Sequence, residues 1–274
     1  RTLPFGFSII DQSVSSNTFA KDPTIVPYLA QSTTSSWEQV ITPRGSGFQD
    51  SSTGNWVLIR TQNTVSCSTD GNNVIYTQTR NPGYTNDVDW VRWRPTFPVT
   101  AFYRVYVYIP NYSHNIMNVT DSAHYRIRRS DSEELAVIVV NQNQDLCEWV
   151  DLGEYWLNAG TSGYVYMGDY TGDNPKRLIA ADGAKFVIQN RPPNIPNLVA
   201  PVEGAYFTAT QVTLQIQDTG DIDNYPRNYR DFDYRLEKTD GTWAQESSWA
   251  TATTWDIMVP TYGEYRWRVH SSDG

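Results

Sequence analysis

The sequence predicts an all-β protein built as two tandem β-sandwiches. Three observations carry this: apolar residues recur with a period of two in segment after segment, Gly and Asn-Pro signals punctuate them, and no stretch keeps a helical period. The clearest case is residues 88–110, VDWVRWRPTFPVTAFYRVYVYIP, which reads as strand, proline-marked turn, strand. Successive side chains of a strand point to opposite sides of a sheet. Tyr103, Val105, Val107 and Ile109 therefore share one face, and Phe102, Arg104, Tyr106 and Tyr108 the other. By the same alternation Trp90 and Trp93 cannot both be core.

Residues 1–45 are rich in Ser and Thr with scattered prolines, and read as an irregular arm or an edge strand. From 46 to 190, WVLIR (56–60), VIYTQT (74–79), the 88–110 pair, HYRIR (124–128), LAVIVV (135–140), CEWVDL (147–152), GYVYMG (163–168) and AKFVI (184–188) supply the strands of one closed, jelly-roll-like sandwich. RPPNIPN (191–197) follows; its three prolines fix φ and remove backbone donors, which favours an extended connector. In 198–274 the alternating sets Val212/Leu214/Ile216, Phe232/Tyr234/Leu236, Trp255/Ile257/Val259 and Tyr265/Trp267/Val269 predict an immunoglobulin-like sandwich, with Tyr265 placed as a tyrosine corner. Such a fold would be expected to have one more strand after the last of these, so its sheet edge reads as open and ready to pair with another chain. A continuing polypeptide, a smaller domain, or a strand donated by a neighbouring subunit would each account for it; residues 1–44 are the natural donor.

Hydrophobic residues make up 39% and aromatic residues 14%, including 10 Trp and 18 Tyr, enough to pack cores and leave rings over for a surface. The net charge of −9 argues against nucleic acid or an anionic membrane as partner, because such binders concentrate Lys and Arg. No apolar run approaches the roughly 18 residues that span a bilayer. The chain begins at Arg1 with neither Met nor a signal core, which suits the mature form of a secreted protein. Cys67 and Cys147 are the only cysteines and fit one disulfide or two buried thiols; the extracellular character of the rest favours the disulfide.

Five segments, GFQDSSTGNW (47–56), VRWRPTFP (91–98), FYRVYVYIP (102–110), VVNQN (139–143) with EWVDLGEYWLNAG (148–160), and IAADGAKFVI (179–188), resemble in their order the golvesin C-terminal-like domain, a β-sandwich module found on secreted bacterial enzymes such as xanthan lyases. Residues 198–274 resemble fibronectin type III or bacterial immunoglobulin-like modules. The resemblances imply a non-catalytic pair of modules that binds, spaces or assembles. They also place Trp93 at a core position and Asp182 as the anchor of a loop.

The residues themselves give the same expectation, that the chain is not an enzyme. His114, His124 and His270 are isolated, and neither a nucleophile elbow, a phosphate-cradling loop nor a metal-spaced cluster occurs. The pairs Glu133/Glu134 and Asp231/Asp233 read as solvated residues. Asp218, Asp221 and Asp223 form a Gly-containing acidic loop that could take a structural Ca²⁺, with Asp169 and Asp173 a weaker case; Asp and Gly also make turns for conformational reasons alone. No other cofactor is expected. Asn111 and Asn118 match the N-glycosylation pattern, without weight in a bacterial chain.

Sugar faces stack on aromatic rings, so Trp90 and the same-face pairs Tyr106/Tyr108 and Tyr164/Tyr166 are the candidate ligand contacts. The same rings would serve in a protein interface. The function expected is attachment to extracellular polysaccharide or cell surface, by a secreted module pair within a longer chain. The alternatives are a structural subunit of a filament or surface layer assembled by strand donation, self being the partner, and an accessory region of a secreted hydrolase, lyase or peptidase.

Overall fold

The computed structural model describes residues 7–11, 37–51, 55–60, 65–69, 73–112, 119–174, 176–191, 193–202, 205–207, 209–222, 230–261 and 263–273. Among them every regular element is a strand. The first eight are β1 (Phe7–Asp11), β2 (Glu38–Ile41), β3 (Phe48–Asp50), β4 (Val57–Arg60), β5 (Val65–Cys67), β6 (Asn73–Gln78), β7 (Trp90–Trp93) and β8 (Ala101–Ile109). Next come β9 (Asn111–Tyr112), β10 (Ala123–Ser130), β11 (Glu133–Val140), β12 (Glu148–Leu157), β13 (Tyr164–Gly168), β14 (Leu178–Ala181) and β15 (Ala184–Gln189). The last seven are β16 (Asn197–Ala200), β17 (Ala205–Phe207), β18 (Gln211–Gln217), β19 (Asp231–Lys238), β20 (Ala244–Glu246), β21 (Thr254–Met258) and β22 (Gly263–Ser272). They fold as two compact units, residues 36–189 and residues 1–35 together with 190–274.

In the first unit the main sheets run β11-β10-β13-β7-β3 and β12-β8-β15-β2, beside a small sheet β14-β6-β4 and the pair β5-β9. Alternation decides what is core. Ala101, Tyr103, Val105, Val107 and Ile109 of β8 are buried while the residues between them are not. Val91 and Trp93 of β7, Tyr125 and Ile127 of β10, Val165 and Met167 of β13, and Phe186 and Ile188 of β15 are also part of the interior. Trp93 is 1% exposed. Its ring lies 5.9 Å from Phe48 and 6.2 Å from Tyr125, and its Nε1–H donates to the Asp182 carbonyl at 2.7 Å, so a large apolar body is buried with its one polar atom satisfied. The segment 1–45 contributes β2 here, paired with β15. Cys67 and Cys147 are joined by a disulfide.

The five segments that carry the family resemblance meet through specific bonds. Gln142, from VVNQN, is buried and donates to Tyr125 Oη (2.9 Å) and the Ala180 carbonyl (2.8 Å), and accepts from Ala180 N–H (2.9 Å), which binds it to IAADGAKFVI. The Asp182 carboxylate takes the Thr69 amide at 3.3 Å and the Thr69 hydroxyl, anchoring that loop as expected. Gly47 sits at φ 88° with its Cα so close to the Arg94 carbonyl that a Cβ would stand 2.3 Å from the oxygen, so only glycine fits.

In the second unit one sheet runs β17-β1-β22-β19-β20 and the other β16-β18-β21. One core draws Val212, Leu214, Ile216 and Ile257 from the second sheet and Phe232, Tyr234, Leu236, Tyr265, Trp267 and Val269 from the first, as their alternation dictates. Tyr265 Oη donates to the Thr261 carbonyl four residues back, at 2.8 Å. The first unit uses the same device, Tyr103 Oη donating to the Val99 carbonyl at 2.7 Å. The edge of β22 that the sequence suggested would be open is occupied: β1 pairs with it in parallel, Phe7↔Gly263 to Asp11↔Arg266, and antiparallel with β17 on its other side.

Candidate functional site

The first unit carries a cleft of about 510 Å³, lined by the β6 residues Tyr76, Thr77 and Gln78, by Thr79 and Arg80 beyond it, and by Asn55, Asp89, Asp169 and Lys176, with Val57, Val88 and Leu178 as its apolar patch. Two buried carboxylates are part of the wall. Asp89, 5% exposed, accepts from Asn55 Nδ2 (3.0 and 3.2 Å), Thr77 Oγ1 (3.3 Å) and Ser51 Oγ (3.4 Å). Asp169, 2% exposed, accepts the Val88 amide at 2.9 Å. Burial pushes the Asp169 carboxyl above the usual range; the amides of Val88 and Asp89 draw it back, and the neighbouring Asp87 and Asp89 raise it again. A raised carboxyl pKa means that the folded state holds the proton more tightly than the unfolded one. Stability is then greatest below the ordinary carboxylate value and declines as pH rises to the elevated one. Asp169→Asn, which keeps an acceptor for Val88, is expected to gain stability relative to wild type between pH 3 and pH 7; urea denaturation at the two pH values checks this, and an equal difference at both contradicts it.

Asp87 ties the cleft to an aromatic face. Its carboxylate accepts from Tyr166 Oη (2.9 Å) and the Tyr170 amide (2.8 Å). A Cβ on Gly168 would fall 2.0 Å from the same carboxylate, which explains the glycine there. On the outer side of β7 and β13, Trp90 stacks on Tyr166 with centroids 6.1 Å apart and 23° between planes. Arg92 lies 4.5 Å over Trp90 and 5.1 Å over Tyr164, and Arg94 lies 4.3 Å over Tyr164. Three of the five rings singled out in the sequence thus meet in one ladder, but guanidinium groups cover their faces. Tyr164 is buried, its hydroxyl on Asp131 at 2.9 Å, and burial with that carboxylate raises the phenol pKa.

Tyr106 and Tyr108 lie apart from these, on the outer side of β8 in the other sheet. Tyr108 meets Trp149 edge-on at 5.3 Å, and the Lys185 ammonium stands 4.9 Å from the Tyr106 ring and 4.8 Å from Trp149. Both Tyr rings are half-buried.

The remaining candidates are engaged elsewhere. The Asp218 carboxylate is clamped by Arg230, with Nε at 2.8 and 2.9 Å and Nη2 at 2.6 Å, and takes the Gly220 amide at 2.9 Å; the guanidinium holds its pKa below the usual range. A cation there would have to displace that clamp. Asp221 is within the described residues and Asp223 outside them; no cluster of three or more metal-ligating side chains occurs among those described. Glu133 pairs with Arg129 and Glu134 with Arg126 and Arg128; Asp173 pairs with Arg177 at 3.7 Å. His270 Nδ1 lies 3.7 Å from Asp233.

The sequence pattern does not single out the cleft residues Asn55, Gln78, Asp89 and Lys176. The one signal that reaches them is the glycine-rich segment 47–56, which supplies Ser51 and Asn55 to Asp89.

The fold and cleft define a β-sandwich module with a polar surface recess. The chain belongs to the golvesin C-terminal domain family, whose model matches residues 44–188. Among solved structures it is similar to a xanthan lyase from Paenibacillus, at 21% identity and a TM-score of 0.42, over 56% of this chain and 13% of that one. It is also similar to the glycoside hydrolase domain of Endo-D from Streptococcus pneumoniae R6, at 10% identity and a TM-score of 0.27, over 87% of this chain and 37% of that one. The chain therefore spans well under half of either. No curated protein matches it. Among the described residues no helix is long and apolar enough to cross a membrane.

Proposed function

We propose that this chain is a secreted, non-catalytic pair of modules that attaches to extracellular polysaccharide through the cleft of its first unit. The observation that carries the reading is the cleft's chemistry: the half-buried Tyr76 ring, the exposed amides of Asn55 and Gln78 and the cations of Arg80 and Lys176 line one recess of about 510 Å³, over a buried wall of Thr77, Thr79, Asp89 and Asp169. A sugar ring needs a mixed set of donors and acceptors around an apolar surface, in a recess of this order of size. A non-catalytic role is supported by the use made of Asp89 and Asp169: each takes donors of its own scaffold. Secretion is supported by the Cys67–Cys147 disulfide, a bond that persists in oxidising compartments. The second unit, with sheets β16-β18-β21 and β17-β1-β22-β19-β20 around one core, fits an immunoglobulin-like or fibronectin type III-like spacer.

Native electrophoresis in gels cast with soluble polysaccharides, neutral galactomannan and dextran beside acidic xanthan, tests the proposal. Retardation in at least one gel, reduced in a Gln78→Ala/Lys176→Ala variant that unfolds at the wild-type denaturant midpoint, is the expected result. Unchanged mobility in every gel, or retardation that the variant retains in full, would reject it.

A further inference from the structure

The second unit is discontinuous in sequence: β1 comes from the far N-terminal side of the first unit, whereas every other strand of the second unit lies beyond residue 190. β1 nonetheless fills the gap between β17 and β22 by main-chain pairing on both sides, Phe7↔Phe207, Ser8↔Tyr206 and Ile9↔Ala205 on one, and Phe7↔Gly263, Ser8↔Glu264, Ile9↔Tyr265 and Asp11↔Arg266 on the other. Its direction matters. A strand reaching this slot from β22 through a hairpin would run antiparallel to β22, and β1 runs parallel. The slot therefore selects an extended segment delivered from elsewhere, by the backbone groups that an edge presents.

We infer that this slot is a strand-acceptor site that copies of this chain exchange, the β1 of one copy completing the second unit of another. The bonds made in cis and in trans are the same, so what divides the two is the effective concentration of the tethered strand against the concentration of protein. The tether does not enforce cis pairing by shortness. The 25 residues from 12 to 36 separate β1 from Trp37, and a chain of that length reaches at most about 85 Å. Among the described residues β1 is a five-residue strand held by seven residue pairs, four to β22 and three to β17, while β22 keeps a separate ladder of eight pairs with β19. Releasing β1 therefore leaves the β19–β22 ladder in place, and such local opening is the step that exchange requires.

Paired positions Ser8 and Glu264 allow a direct test, because the two native cysteines are already bonded to each other. Ser8→Cys and Glu264→Cys are made singly and together, and treated with a short bis-maleimide. Exchange predicts that mixing the two single variants gives a cross-linked heterodimer absent from either alone, in a yield that rises with protein concentration. It also predicts that the double variant gives both an intrachain cross-link and a dimer. If the double variant cross-links only within the chain and the mixture gives no heterodimer, the strand stays in cis and the inference is overturned. If neither forms, residues 7–11 do not occupy the slot and it is overturned at its base.

Discussion

Replacing Cys67 and Cys147 by serine is expected to lower the stability of the first unit by about 4 kcal/mol. The bond closes a loop of sequence separation 80, and the chain-entropy account puts the unfolded-state restriction for a loop of this size at roughly 4 kcal/mol. Cys67 ends β5, which among the described residues pairs with the two-residue β9, and the Asn111 amide of β9 donates to Cys67 Sγ at 3.3 Å, so the bond fastens this small pair to the start of β12. The denaturant midpoint of the double variant, compared with wild type under non-reducing conditions, measures the loss. A shift of less than about 1 kcal/mol would mean that the unfolded chain is restricted by other means.

The second large effect separates two tryptophans on one strand. Trp93→Ala is expected to cost about 4 kcal/mol: it empties the centre of the first unit's core and leaves the Asp182 carbonyl without its 2.7 Å donor. Trp90→Ala, three residues away on the outer side, removes a ring stacked on Tyr166 and under Arg92, a loss of about 1 kcal/mol. Equal costs for the two would contradict the assignment of faces along β7. Urea denaturation of both variants reads the difference.

Period-two alternation made the long strands legible. Residues 101–109 and the Val212, Phe232 and Tyr265 sets have one face fully buried and the other not, so their pattern is strong; in the Ile257 set Trp255 is only partly buried. Short strands left no such mark: β3, β5, β17 and β20 have three residues each and β9 has two, too few for a period. β1 and β2 were hidden for another reason, since they lie in a Ser/Thr-rich segment and are held by pairing with strands far along the chain. At the site, alternation set Tyr164 and Tyr166 on one face of their strand and Trp90 opposite Trp93 on another, but that Trp90 meets Tyr166 comes from the pairing of β7 with β13. It could not foresee Arg92 and Arg94 over those rings, because cross-strand capping depends on register between β7 and β13. The cleft was invisible for the same reason: Asn55, Gln78, Asp89 and Asp169 are brought together by four separate stretches of chain.

The measurement that goes most directly to the proposed function is a ¹H–¹⁵N correlation spectrum of the protein titrated with oligosaccharides of whichever polysaccharide retards it in the gel. Attachment through the cleft predicts shift changes concentrated at the amides and side-chain amides of Asn55, Tyr76, Gln78, Arg80 and Lys176, saturating with added sugar. Changes confined to the outer face around Tyr106, Tyr108 and Trp149, or no change at all, would contradict it.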